Sequence, residues 1–387
     1  MEPANNIKHE FINKEIIKSK DDITKTHTEE IVIALCGTIG SPLHKVADSL
    51  ISALEQRYSY ECKIIRLSKY IEKSLGNLSE NISEFERINK LIEEGNNLRA
   101  EYSKSILAEL AINSIALSRI ENTTDEKEIT TESKRICHII DSIKNEEELE
   151  LLKLVYGNIF YSLGVSSPID LREQNLANLN MSPGEIYQLI DRDSGEEMNY
   201  GQRVGNTFPQ SDYFLRIADQ AHHNLENKIE RFLDLIFNTK IITPNQGETA
   251  MYLAASAACN SSCLSRQVGA AITDGKGELI SIGWNDVPTY GGNLYSFYNI
   301  DDRTDITDAR CMNWDEKKCY NDYHKDQLIN EIVENLSTSD YIKPEKKKEV
   351  ENIIKKSKIG NLIEFSRSIH AEMHAIIIGS QLSGDRM

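Results

Sequence analysis

His370-Ala371-Glu372 places an imidazole two residues before a carboxylate, a spacing suited to metal-assisted hydrolysis. Such chemistry needs a metal held by three protein ligands with one open position, where bound water becomes acidic enough to attack at neutral pH. A carboxylate must also lie beside that water without ligating the metal, so that it can carry protons. At a helix start, His370 can reach the metal while Glu372 points to the adjoining space. The apolar run Ala371–Ile378 predicts a buried helix, which separates this His-x-Glu from the chance match His27-Thr28-Glu29 in a polar stretch. His374 lies one turn later, but the order H-E-x-x-H is not met, and it reads as a packed or hydrogen-bonded histidine.

A second candidate is the glycine turn Gly37-Thr38-Ile39-Gly40-Ser41-Pro42, which follows an apolar run and precedes helical spacing. A turn so placed can hold a phosphate on the helix N-terminal amides. In the pattern G-x-x-x-x-G-K-[ST], however, the second Gly falls on Pro42, the Lys on Leu43 and the Ser/Thr on His44. The charge for a γ-phosphate and the hydroxyl for Mg²⁺ are missing. Gly37, Gly40 and Ser41, with Asp141 at the tip of a later apolar run, are candidate nucleotide-binding residues of a turn that does not transfer phosphate. A purely structural turn remains the alternative.

The elements that must position these groups follow from periodicity. Apolar runs at Ile31–Cys36, Cys62–Leu67, Arg135–Ile140 and Asn158–Val165 predict strands, separated by amphipathic stretches such as Ile82–Leu117. Strands alternating with helices predict a parallel sheet covered on both faces. A helix over Asp219–Phe237 ends at Ile242–Gly247, where a domain boundary is expected. Beyond it come a small-residue helix at Thr249–Asn260, strands at Val268–Thr273 and Leu279–Trp284 around the turn Asp274–Gly277, and a last helix at Ala371–Leu382. The expected organisation is a polar arm over 1–29, an α/β parallel-sheet domain over 30–246 whose glycine turn makes it resemble a P-loop kinase-like domain, and a smaller α/β domain over 247–387. No internal repeat is visible.

Composition excludes several classes. The chain of 387 residues carries 44 Lys plus Arg against 61 Asp plus Glu, a formal charge of −17. That field repels polynucleotide phosphate, so DNA groove binding is not expected. The cluster Lys346-Lys347-Lys348 alternates with Glu345, Glu349 and Glu351 and reads as a solvated helix face. No apolar run approaches the ~18 residues of a membrane span and no signal-peptide core opens the chain, which predicts a cytoplasmic protein. Seven cysteines at irregular spacing suggest reduced thiols or metal ligands.

Three segments in order carry a family resemblance: Ser265–Asp274, Ile282–Pro288 and His370–Ile376. Together they resemble the deoxycytidylate deaminase family. The preceding half, through Leu163-Gly164-Val165, Asp191-Arg192-Asp193 and Asp212-Tyr213-Phe214, looks like a nucleoside-monophosphate-kinase-like domain. The pair is similar to bacterial two-domain deaminases that act on dCMP or dCTP in defence against phage. The resemblance implies a cytidine-deaminase-like fold, with Zn²⁺ as cofactor, a small-molecule deoxycytidine nucleotide as substrate and antiviral nucleotide depletion as the role. His370 would ligate zinc and Glu372 would move the proton. Asn285 would hydrogen-bond the sugar, the backbone at Ala371 would face the base, and Arg266 is a phosphate candidate. For Asn285 a turn residue satisfied by its own backbone, and for Arg266 a surface ion pair, stay open. A homo-oligomer is expected, with a regulatory RNA or protein as a further option.

The pattern breaks after Glu372. The family draws two zinc ligands from a Pro-Cys-x-x-Cys segment, and no Cys follows Glu372 here. A structural metal site using Cys263, Cys311 and Cys319, with His324, is one alternative; reduced cysteines in a packed insertion are the other. The expectations for the missing segment are a fragment of a longer protein, a truncated gene or a remnant that only binds. The rival to the enzyme reading is therefore a nucleotide-binding or regulatory protein without turnover.

Overall fold

A computed structural model describes residues 30–76, 82–121, 135–195, 202–218, 222–295, 308–314, 316–339 and 341–383. The expected polar arm over 1–29, with His27-Thr28-Glu29, lies outside the described residues. Internal packing divides the chain between Ile242 and Thr243 into two units. The division falls just ahead of Asn245, whose side chain caps the first helix of the second unit.

The first unit begins with β1 (Glu30–Gly37), α1 (Leu43–Tyr58), β2 (Glu61–Arg66), α2 (Leu67–Leu75), α3 (Glu84–Glu101) and α4 (Ile106–Glu121). It continues with β3 (Ile136–Ile143), α5 (Glu146–Tyr156), β4 (Phe160–Ser166), α6 (Ile169–Ala177), α7 (Pro183–Gly195), β5 (Tyr213–Arg216) and α8 (His222–Ile236). Among the described residues the strands form one five-stranded sheet in the order β2-β3-β1-β4-β5, parallel throughout.

Successive strand side chains point to opposite faces, and both faces of β1 are covered. Ile31, Ile33 and Leu35 pack with Val46, Leu50 and Leu54 of α1 and with Ile229, Phe232 and Leu233 of α8. Val32 and Ala34 pack on the other side with Leu107 and Ala111 of α4 and Leu149 and Leu152 of α5. This is why β1 reads as an uninterrupted apolar run rather than an alternating one. β1 lies between β3 and β4, where the strand order reverses, so the loop after β1 opens into the crevice that such sheets use for ligands.

Two features of the fold go beyond the reading from sequence. The stretch Ile82–Leu117 is two helices, α3 and α4. The break at Tyr102–Ser105 is made by side chains: Ser103 Oγ and Ser105 Oγ both donate to Glu109 Oε1, at 2.7 and 2.8 Å, which favours a fresh helix start over continuation. β5 is a further edge strand of four residues in which only Leu215 is buried.

The second unit contains α9 (Gln246–Ala258), β6 (Gly269–Thr273), β7 (Leu279–Trp284), α10 (Tyr320–Thr338), α11 (Lys347–Lys355) and α12 (Ala371–Ser383). β6 and β7 pair antiparallel, with Gly269 opposite Trp284 and Ala270 opposite Gly283. A Cβ on Gly269 would sit 1.9 Å from Ala254 O of α9, and one on Gly283 would sit 2.3 Å from Ala375 N of α12. Opposed residues share a face and neighbours alternate, so α9 and α12 cover opposite faces of the ribbon. The result is a helix–sheet–helix layer built on close backbone contact at two glycines.

Candidate functional site

The loop from Gly37 to His44 is fixed through its carbonyl oxygens. Lys144 Nζ donates to Gly37 O at 2.7 Å, Arg172 Nε to Ile39 O at 2.7 Å and Asn175 Nδ2 to Gly40 O at 2.9 Å. Ser41 N donates to Thr38 O and Leu43 N to Ser41 O, at 3.0 and 2.9 Å. Gly40 has φ +81°, and its ideal Cβ would sit 2.8 Å from Arg172 O, so only glycine turns this corner at this distance from α6. The Thr38 and Ser41 hydroxyls bond to each other at 3.0 Å.

Above the loop is a cavity of about 620 Å³, lined by the loop, by Asp141 near the end of β3 and Lys144 just past it, and by apolar residues of α2 and α3 such as Ile71 and Ile88. That volume is ordinary for a small-molecule site, and its mixture of an apolar wall and a few polar groups is the usual lining. His44, where a phosphate-binding loop would carry its hydroxyl, places Nδ1 2.8 Å from Asp141 Oδ2. The hydrogen bond to Asp141 raises the imidazole above its ordinary value against the opposing effect of burial, and so favours its charged form. Asp141 is buried. Thus Gly37, Gly40, Ser41 and Asp141 do come together, joined by two residues that the loop pattern had left out, His44 and Lys144.

The wall formed by α3 is tied down by one buried ion pair. Arg99 Nε and Nη2 both lie 2.8 Å from Glu148 Oε1. Glu148 Oε2 accepts from Lys144 N and Asn145 N at 3.1 and 3.2 Å and so completes the cap of α5. One carboxylate therefore joins α3, α5 and the backbone of Lys144.

In the second unit, segments far apart in sequence meet at the start of α12. Ile369 N donates to Asp286 O at 3.0 Å. Trp284 N donates to His374 Nδ1 at 3.2 Å, and the two rings meet edge to face with centroids 4.6 Å apart. Ser281 Oγ donates to Ala375 O at 2.7 Å. His374 is buried, and burial lowers its pKa below the ordinary imidazole value. It is a packed, hydrogen-bonded histidine. His370 and Glu372 flank the buried Ala371 and are themselves exposed.

Asn285 is held by its own surroundings. Its Nδ2 donates to Arg266 O at 2.8 Å, and its Oδ1 accepts from Val268 N at 2.7 Å and from Ser261 Oγ at 2.9 Å. The amide therefore ties the turn after β7 to the segment before β6, with partners remote in sequence rather than its own backbone. Arg266 is exposed. Asp286, which sequence reasoning did not single out, is 1 % exposed and accepts from Ser262 N, Ser262 Oγ and Val287 N. An acid directly after a strand-end Trp-Asn pair, with two serines upstream, was the available signal.

No group of three His, Cys, Asp or Glu side chains placed to hold a metal occurs among the described residues. His370 therefore has no ligand set there, and Cys263, Cys311 and Cys319 do not assemble one with His324. Cys263 precedes β6, and Cys319 stands at the start of α10. Cys311 Sγ accepts from Arg367 Nη2 at 3.6 Å, and the Arg367 guanidinium stacks on Trp314 and Tyr320, 4.4 and 4.3 Å from their centroids. Cys263, Cys311 and Cys319 are half-buried and form no disulfide. No described helix is long and apolar enough to cross a membrane.

No protein-family profile matches the chain, and no curated protein sequence matches it. Among solved structures it is similar to an uncharacterised protein from Eubacterium ventriosum, at 13% identity and a TM-score of 0.31, over 53% of this chain and 98% of that one. It is similar over the same shares to shikimate kinase from Bacteroides thetaiotaomicron and to Chaetomium thermophilum Kti12 in complex with ADP-AlF3, each at 15% identity and a TM-score of 0.31.

Proposed function

We propose that the protein is a deoxycytidine-nucleotide deaminase in type: the first unit binds a nucleotide without transferring phosphate, and the second supplies His370 and Glu372 to hydrolysis of the exocyclic amine. The observation that carries the reading is convergence in the second unit. The β6 segment, the turn after β7 and the start of α12 pack on one another through Gly283, Trp284, Asn285 and Asp286, although about a hundred residues separate β6 from α12. These are the three segments on which the family resemblance rests.

The described residues supply one imidazole and a carboxylate and do not fit a complete zinc site. Two more ligands have to come from elsewhere, and no step is written through the metal. Within this chain, Glu372 is the group able to shuttle a proton, and the backbone around Ala371 is held in place by Gly283. The incomplete ligand set favours a second reading, a nucleotide-binding protein without turnover.

Purified protein supplied with zinc and either dCMP or dCTP separates the two. The deaminase reading expects bound zinc and ammonia release, with turnover lost in Glu372→Ala while the fold stays intact. A folded protein that neither retains zinc nor releases ammonia overturns it and leaves the binding reading.

A further inference from the structure

We propose that Lys144 replaces the lysine missing from the loop: its ammonium neutralises the phosphoryl groups of a nucleotide seated on residues 37–44, and the cavity takes that nucleotide without a divalent cation. The inference rests on the reading of the first unit as nucleotide-binding.

Position is the first argument. Lys144 lies three residues beyond Asp141, past the end of β3, yet its Nζ reaches Gly37 O at 2.7 Å and it lines the same cavity as Thr38–His44. A lysine ammonium is a compact cation with three donors on a flexible stem, which can exchange a neutral carbonyl for a phosphoryl oxygen of higher charge. Its backbone is fixed, because Lys144 N donates to Glu148 Oε2 and Arg203 N donates to Lys144 O. The stem is thus aimed from a rigid point.

The loop itself is the second argument. The carbonyls of five consecutive residues, Gly37 to Ser41, each accept a hydrogen bond. With these acceptors engaged, three of them by side chains from outside the loop and two by the loop's own amides, the loop opposes an anion less than free carbonyls would.

The third concerns the divalent cation. The position that would give a hydroxyl ligand holds His44, and that imidazole occupies Asp141 Oδ2 at 2.8 Å. That oxygen of the acidic strand tip is therefore engaged by the His44 side chain rather than turned to a metal's hydration shell. Lys144 provides the positive charge that Leu43 cannot.

The test is calorimetric titration of the full chain with dCTP and with ATP, in EDTA and in Mg²⁺. At least one probe should bind with affinities in EDTA and in Mg²⁺ that agree within about threefold. That affinity should fall about tenfold or more in Lys144→Gln, the loss expected for one charge-assisted contact, and recover in Lys144→Arg. A site that requires Mg²⁺, or one that Lys144→Gln leaves intact in a protein of unchanged melting temperature, overturns the inference alone. Failure of both probes to bind overturns it together with the nucleotide-binding role of the first unit. Deamination is read separately by ammonia release.

Discussion

Replacing Arg99 by Met should destabilise the first unit selectively. Arg99 is 2 % exposed and Glu148 is fully buried, and two guanidinium nitrogens share one carboxylate oxygen at 2.8 Å. Met conserves much of the aliphatic volume but leaves the carboxylate with two backbone donors, Lys144 N and Asn145 N. Stranding one member of a buried ion pair costs about 3–5 kcal/mol. The assay uses an asymmetry of the chain: both tryptophans, Trp284 and Trp314, belong to the second unit. Urea unfolding followed by far-ultraviolet circular dichroism therefore reports both units, whereas tryptophan fluorescence reports the second. Arg99→Met should move the dichroism transition and leave the fluorescence transition in place. In combination with Glu148→Gln, the loss should be smaller than the sum of the two single losses by more than about 1 kcal/mol, because the charge left unpaired is gone. A dichroism transition within about 1 kcal/mol of the parent in Arg99→Met would refute the claim that this pair holds α3 to the cavity.

The second unit offers two tests that tryptophan fluorescence can read. Gly283→Ala places a methyl 2.3 Å from Ala375 N and 2.4 Å from Ala371 O; forcing α12 outward should cost about 1–3 kcal/mol and displace His370 and Glu372, and an unchanged fluorescence midpoint would contradict the packing. His374 has a folded pKa depressed below 6.5 by burial. The unfolded chain therefore binds the proton first, and stability of the second unit should fall as pH drops below about 6.5 and level off below the folded value. His374→Asn, which keeps an acceptor for Trp284 N, should flatten that dependence; the same slope in both proteins would show that another group titrates.

Much of this architecture is legible in the chain because burial on both faces leaves β1 with no polar interruption. β5 is not legible, since a four-residue edge strand with one buried side chain carries almost no period. The break between α3 and α4 contains neither Pro nor Gly, and its cause is a serine pair reaching Glu109, a local signal that a helical period conceals. The site divides the same way. Gly37, Gly40 and Asp141 follow from strand–turn–helix spacing. Lys144 does not, because its bond to Gly37 spans 107 residues of sequence and depends on β3 lying directly beside β1. In the second unit the segments that meet can be read in order along the chain, but the occupation of Asn285 by its own neighbours is visible only once Val268 and Arg266 are seen beside it.

The two units differ in how far their groups are preorganised, and that difference decides what each can do alone. In the first, the main polar groups around the loop are held in place: the backbone of Lys144 by the Glu148 cap, Asp141 by His44, and the Ile39 and Gly40 carbonyls by α6. Fixed dipoles and charges of this kind stabilise an anion without reorganising, which is the requirement for binding. In the second, the scaffold is equally rigid where backbone meets backbone at Gly283, yet the imidazole and carboxylate at the head of α12 stand exposed on it. A water held there would feel one carboxylate in a high dielectric, far short of what displacing an amine demands. On the proposed reading, turnover depends on groups that complete and cover the head of α12, and recognition of a phosphorylated ligand on the groups around the loop of the first unit.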